Sequence, residues 1–162
     1  MQSLKDLMVD ELKDLYSAEN QILKALPKMI KKTTSPQLKS GFEKHLKETE
    51  GHVERLEKIF QQLDASPRGK KCKGMEGVIA DGEELMEEDA DPEVMDAGLI
   101  GAAQHVEHYE IAGYGGVRTY AELLGLSDIA KLLQKTLDEE KATDEKLTEL
   151  SRQINVQAEK AA

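Results

Sequence analysis

Apolar residues recur along this chain at alternating spacings of four and three, the period that lines one face of a helix and forms the seam of a bundle. The pattern appears four times. The first seam reads Met8, Leu12, Leu15, Glu19, Ile22, Leu26, Met29, and the second Leu38, Phe42, His45, Thr49, His52, Leu56, Ile59, Leu63. The third reads Ile100, Ala103, Glu107, Glu110, Tyr114, Val117, Ala121, Leu124, and the fourth Ile129, Leu133, Thr136, Glu140, Thr143, Leu147, Leu150, Ile154. Every seam is apolar at both ends and polar in the middle. In a bundle of similar helices the midpoints share one level, so these interruptions are expected to converge in a single polar layer inside an apolar core.

Local signals divide the chain to match. Ser3 with Asp6 resembles a capping box and predicts a helix over about 4–33. Ser35-Pro36 predicts the N-cap and first residue of a second helix, over about 36–64. Ser66-Pro67-Arg68-Gly69 breaks that helix, and a basic loop leads to a shorter one near 75–88. Asp91-Pro92 opens the next helix, over 92–124, with Gly125 as its C-cap. Ser127 is expected to cap a last helix over 128–157. The first and last pairs of long helices are joined by only a few residues, which makes each an antiparallel hairpin. A helix of about 28 residues is roughly 42 Å long, and the segment between the hairpins, with its short helix, spans that return. The predicted fold class is therefore all-α: one ferritin-like four-helix bundle over 1–162, two hairpins joined by a long crossover containing a short fifth helix.

Composition agrees with helices: 33% of residues are charged, only 4% are aromatic, and there is no Trp. The net charge of −10 repels a phosphate backbone, so no nucleic acid is expected as a partner. No apolar run reaches membrane length, so no membrane association is expected. The single cysteine, Cys72, rules out an intramolecular disulfide and fits a reducing, cytoplasmic setting. P-loop, dinucleotide-binding, nucleophile-elbow and CxxC motifs are absent.

The polar layer carries the chemistry. A buried, unpaired carboxylate costs several kcal/mol or takes up a proton, and several in one layer repel one another. Two metal ions resolve this, and carboxylates with imidazole suit iron or manganese better than soft-ligand metals. Di-metal sites of ferritin-like bundles take a Glu from each of two helices and a Glu-x-x-His from each of the other two. Here the match is incomplete: Gly51 stands where Glu48 would need its histidine, which comes one residue later as His52. On the last helix Glu140 is followed by Asp144, with no histidine. The expected centre is therefore carboxylate-heavy, with His45 as the substitute should His52 point elsewhere.

Other residues have plainer readings. His45 and His108 taken singly are packed or surface histidines, and Tyr16 and Tyr114 are amphipathic core tyrosines near the layer. Arg68, Lys70, Lys71 and Lys73 around Cys72 would favour its thiolate, although a lone loop cysteine is usually without special chemistry. Gly113, Gly115 and Gly116 weaken their helix and suggest a close helix crossing or a subunit contact.

The strings DLYSAENQIL, HLKETEGHVERLEKIF, GMEGVIADGEEL, AAQHVEHYEIAGYG and LLQKTLDEEKATDEKLTEL resemble the bacterial YciF/YciE stress-protein family, a ferritin-like group of unknown function. The resemblance runs over about 4–155 and includes the crossover. It implies a cytoplasmic, stress-associated homodimer with a di-metal site. Its motifs fall on Glu19 in YSAE, Glu48 in HLKET, Glu107 and Glu110 in EHYE, and Glu140 and Asp144 in EEKATD. With His52 these make the expected metal ligands, holding two iron or manganese ions.

The expected function is an oxidoreductase that handles a small oxidant, peroxide or dioxygen. The alternative is a non-enzymatic helical stress protein that buffers metal or binds a partner. A third reading, an iron-storing mini-ferritin, requires assembly into a cage.

Overall fold

A computed structural model describes residues 1–161 and contains five helices: α1 (Leu4–Lys32), α2 (Pro36–Gln62), α3 (Lys73–Glu87), α4 (Pro92–Leu123) and α5 (Ser127–Lys160). The four long helices form an all-α, ferritin-like bundle, and α3 lies in the crossover against α1 and α4. Around the bundle α1 borders α2 and α4, while α5 borders α2 and α4. Cross-helix bonds give the directions. Arg55 reaches Thr136 while His52 meets Glu140, so α2 and α5 are antiparallel. Thr34 bonds Asp96 while Glu19 bonds Tyr114, so α1 and α4 are antiparallel as well.

Local chemistry explains the ends. Ser3 and Asp6 form the reciprocal capping box, and Ser35 Oγ accepts from the Leu38 amide one residue before Pro36. At the end of α4, Leu126 N–H reaches Ala121 O at 2.9 Å and Gly125 N–H reaches Glu122 O at 3.0 Å, with Gly125 at φ +71°. That is a Schellman ending with glycine just past the cap. Two expectations shift. Ser127 is the first residue of α5 rather than its cap, which is Leu126 without a side-chain bond, and α5 continues past Gln157 to Lys160. The crossover helix starts at Lys73, two residues early, because the Cys72 thiol caps it by accepting from the Met75 amide at 3.3 Å.

Asp96 ties the first hairpin to α4. This buried carboxylate accepts from Thr34 N and Oγ1 at 2.9 and 2.7 Å and from Ser35 N at 2.7 Å. The crossover helix is held close: a Cβ on Gly98 would lie 2.9 Å from Leu85, and Lys28 pairs with Glu83 at 2.5 Å.

The seams read from the sequence are the buried faces, except that Leu63, Leu124 and Thr143 are half-buried. The apolar interior is divided. One cluster, around Ile22, Leu26, Phe42, Met75, Leu99 and Leu147, fills one end of the bundle. The other, around Leu12, Leu15, Leu56, Ile59, Val117 and Leu133, fills the opposite end. Between them lies the polar layer.

Candidate metal centre

Each long helix places its mid-seam residue in that layer. Glu19 comes from α1, His45 and His52 from α2, Glu107 and Glu110 from α4, and Glu140 from α5; all are at most 3% exposed. Glu107 and Glu110, and His45 and His52, are one and two turns apart on their helices, so each pair shares a face. The six form two overlapping groups. In the first, one ligand atom each from His45, Glu107, Glu110 and Glu140 lie within 4.8 Å of one another. In the second, Glu19, His52 and Glu140 do the same, so Glu140 belongs to both.

Burial sets the electrostatics. Desolvation raises Glu107 from the usual 4.5 to about 8 and Glu140 to about 7, against the pull of His52. It raises Glu110 well above the usual range, helped by the charges of Glu140 and Glu19. His45 is lowered by burial, which holds it neutral. Burial would lower His52 too, yet the adjoining carboxylates of Glu140 and Glu19 outweigh it and lift His52 to about 10.

The contacts inside the layer are close but poorly directed. His52 Nδ1 lies 2.9 Å from Glu140 and 3.3 Å from Glu19, and His45 Nε2 lies 3.1 Å from Glu107. Yet neither nitrogen of His45, nor His52 Nδ1, nor either carboxylate oxygen of Glu110 or Glu140 makes a hydrogen bond. Buried polar atoms are normally paired, so such a concentration marks donors directed at something other than protein. The outward-facing partners are well ordered. His52 Nε2 meets Glu139 at 3.0 Å, and Arg55 grips Glu139 with contacts of 2.7 and 2.9 Å while donating to Thr136 at 2.6 Å. A histidine whose far nitrogen is held by a carboxylate presents its near nitrogen as a ligand. Tyr114, fully buried, donates to Glu19.

Of the seven residues expected to ligate, Glu19, His52, Glu107, Glu110 and Glu140 come together in these groups, and His45, expected only as a substitute, stands among them. Glu48 and Asp144 sit at the rim, with side chains 22% and 23% exposed. Glu48 pairs with Lys44 at 2.8 Å but keeps Oε2 buried and unpartnered. Asp144 accepts from Gln104 at 3.0 Å and lies 3.2 Å from His108, which is exposed. The seam itself carried the signal for His45: it is a seam position on α2, whereas Glu48 and Asp144 are each one residue off theirs.

One side reading holds and another changes. Tyr16 is the amphipathic core tyrosine expected, its ring against Phe60 and the apolar cluster and its hydroxyl donating to Glu57. Cys72 is buried, and burial raises its thiol, with Asp14 adding to the rise. The lysines expected to favour its thiolate are engaged elsewhere, Lys70 with Asp10 and Lys71 with Glu76. Of the glycines, Gly113 faces Leu15 at 2.8 Å from its would-be Cβ, a close crossing of α1 and α4, while Gly115 and Gly116 meet nothing within 4 Å.

The sequence profile of a domain of unknown function, DUF892, matches residues 3–160. The chain belongs to the DUF892 family. This chain is similar to Protein YciF of Escherichia coli strain K12, 44% identical over 164 aligned residues that cover 100% of this chain and 99% of that protein. The crystal structure of that E. coli stress protein superposes with a TM-score of 0.92, covering 95% of this chain and 98% of the other. A protein from Rhodopseudomonas palustris, described as structural, is 44% identical with a TM-score of 0.89 over 91% and 94% of the two chains. A ferritin-like diiron-carboxylate protein from Bacillus anthracis shares the fold at a TM-score of 0.72 and 16% identity, over 93% and 99% of the chains. Among the described residues no helix is long and apolar enough to cross a membrane.

Proposed function

We propose that this DUF892 protein is a cytoplasmic stress protein whose polar layer binds two iron or manganese ions and handles a small oxidant. The observation that carries the reading is the set of buried oxygens and nitrogens on Glu19, His45, His52, Glu107, Glu110 and Glu140 that have no hydrogen-bond partner. A donor set of carboxylates with two imidazoles suits hard to borderline cations, and the Bacillus anthracis structure of the same fold is described as a diiron-carboxylate protein. Bound there, a pair of such ions would supply two-electron redox chemistry toward peroxide or dioxygen.

The chain's own residues have defined parts. Glu140, common to both groups, would be the shared ligand, with His45, Glu107 and Glu110 on one side and Glu19 and His52 on the other. Glu48 and Asp144 would complete the shell from the rim. Glu139, clamped by Arg55, holds the His52 ring so that Nδ1 faces inward, and Tyr114 holds Glu19 Oε1. The apolar clusters above and below keep bulk water from the layer. Ligation requires the carboxylates as anions and His52 as neutral imidazole, so uptake releases protons and strengthens as pH rises.

Elemental analysis of protein purified without chelators tests the reading, beside a Glu19→Ala/Glu140→Ala variant. About two ions per chain are expected, lost in the variant. No metal, and none taken up anaerobically from ferrous iron or manganese, would leave a structural or partner-binding bundle instead.

A further inference from the structure

Three approaches lead from the surface toward the layer, and they differ in what they offer an arriving cation. Between α1, α3 and α4 an opening reaches His45 and Glu107 past Ile22, Leu26, Val78 and Val106. Those side chains supply no oxygen, so an ion shedding water among them loses its hydration without replacement. Between α4 and α5 stands Asp144, with both carboxylate oxygens engaged, Oδ1 by Gln104 at 3.0 Å and Oδ2 by His108 at 3.2 Å.

Between α2 and α5 stands Glu48, and it is placed differently. It lies three residues after His45 and four before His52, so it neighbours both layer histidines on α2. Its two oxygens are divided. Oε1 lies 2.8 Å from the ammonium of exposed Lys44, whereas Oε2 is buried and has no hydrogen-bond partner. Its charge acts on His45, whose two ring nitrogens are likewise buried and unpartnered. Beside it runs a surface groove lined by Gln134, Asp138 and Glu139 of α5. Glu139 is held by Arg55 and His52, which leaves Glu48 as the carboxylate that joins this groove to the layer.

We propose that Glu48 is the port by which divalent cations enter the layer from the α2–α5 groove, with Lys44 as its latch. The Lys44 ammonium holds Oε1 until a cation displaces it, and rotation of the carboxylate then carries that cation in toward His45. An exposed ion pair contributes little, so Lys44 restrains Glu48 without locking it. The inference rests on the di-metal reading for where the cation goes, and adds the route and its control.

The test follows uptake of cobalt(II) by metal-free protein without dioxygen, read by its visible absorption after rapid mixing, so that no turnover is involved. Lys44→Met should speed uptake about two- to fivefold, the worth of an exposed ion pair, with the final number of ions unchanged. Lys131→Met removes a lysine of the same groove that pairs with Asp128 at 3.7 Å, and should change the rate less. Glu48→Gln should slow uptake about tenfold or more, the scale on which charge speeds capture. His108→Ala, which releases Asp144, and Ala25→Leu, which fills the α1–α3–α4 opening, should leave the rate as it was. Equal acceleration by Lys44→Met and Lys131→Met, a gain with His108→Ala, or uptake by Glu48→Gln at the parental rate would overturn the port while leaving metal binding standing. No cobalt bound by the unsubstituted protein at equilibrium would overturn the di-metal reading, and the port with it.

Discussion

Raising the pH should weaken the metal-free protein, and the layer sets how much. Glu107 titrates near 8 in the fold against the usual 4.5, so the folded state holds a proton that the unfolded chain has lost. Its stabilising effect is complete below about pH 4.5 and disappears as pH rises through about 8; from pH 6 to 8 the loss is about 2 kcal/mol. His52, lifted from 6.5 to about 10, has the same sign and loses about 2 kcal/mol over that interval. Burial raises Glu140 and Glu110 too, adding in the same direction. His45 opposes this, because burial lowers it, but its gain ends above about pH 6.5 and amounts to less than about 1 kcal/mol. With Glu140 and Glu110 adding to it, the net expectation is a loss of at least roughly 3 kcal/mol. With a urea slope of about 2 kcal/mol/M, the midpoint in chelator should fall by at least about 1.5 M between the two pH values. Glu107→Gln should remove about 2 kcal/mol of that dependence. Saturating metal should reverse the trend, because ligation needs the deprotonated side chains. A midpoint in chelator that is flat or rises from pH 6 to 8 would refute the reasoning.

Three further outcomes follow from the packing. Asp96→Ala removes an acceptor of three hydrogen bonds at the α1–α2 turn and should cost about 2–3 kcal/mol by chemical denaturation, with Asp96→Asn costing less. Gly74→Ala would place a Cβ 2.6 Å from the Tyr109 ring; a loss of about 1–2 kcal/mol and faster reaction of the buried Cys72 with a thiol reagent are expected. Asp64 ends α2 at φ +50°, so Asp64→Gly should raise the melting temperature, by about 0.5–1 kcal/mol in stability.

The fold was legible because period and punctuation agreed: seam positions such as Leu12, Phe42, Val117 and Leu133 are buried where the four-three spacing places them. The site was legible to the level of the layer. Its detail depended on side-chain direction, since one residue along a helix turns a side chain by about 100°. That rotation separates Glu48 at the rim from Thr49 on the buried seam. Glu139 and Arg55 could not be read, because their role exists only where α2 and α5 face each other. The thiol at Cys72 shifts opposite to the expected direction for a similar reason: local charge is visible in the sequence, while the contacts with Asp14 and Tyr109 come from other helices.

The layer also divides the molecule in a way the chain's order does not. Each apolar cluster draws side chains from α1, α2, α4 and α5, so neither half is a contiguous stretch that could fold or be excised alone. Whatever occupies the layer therefore governs how the halves unfold. A layer of ill-directed carboxylates should let them exchange amide protons as separate units, whereas one bonded across all four helices should make them open together, a contrast that hydrogen exchange reads directly.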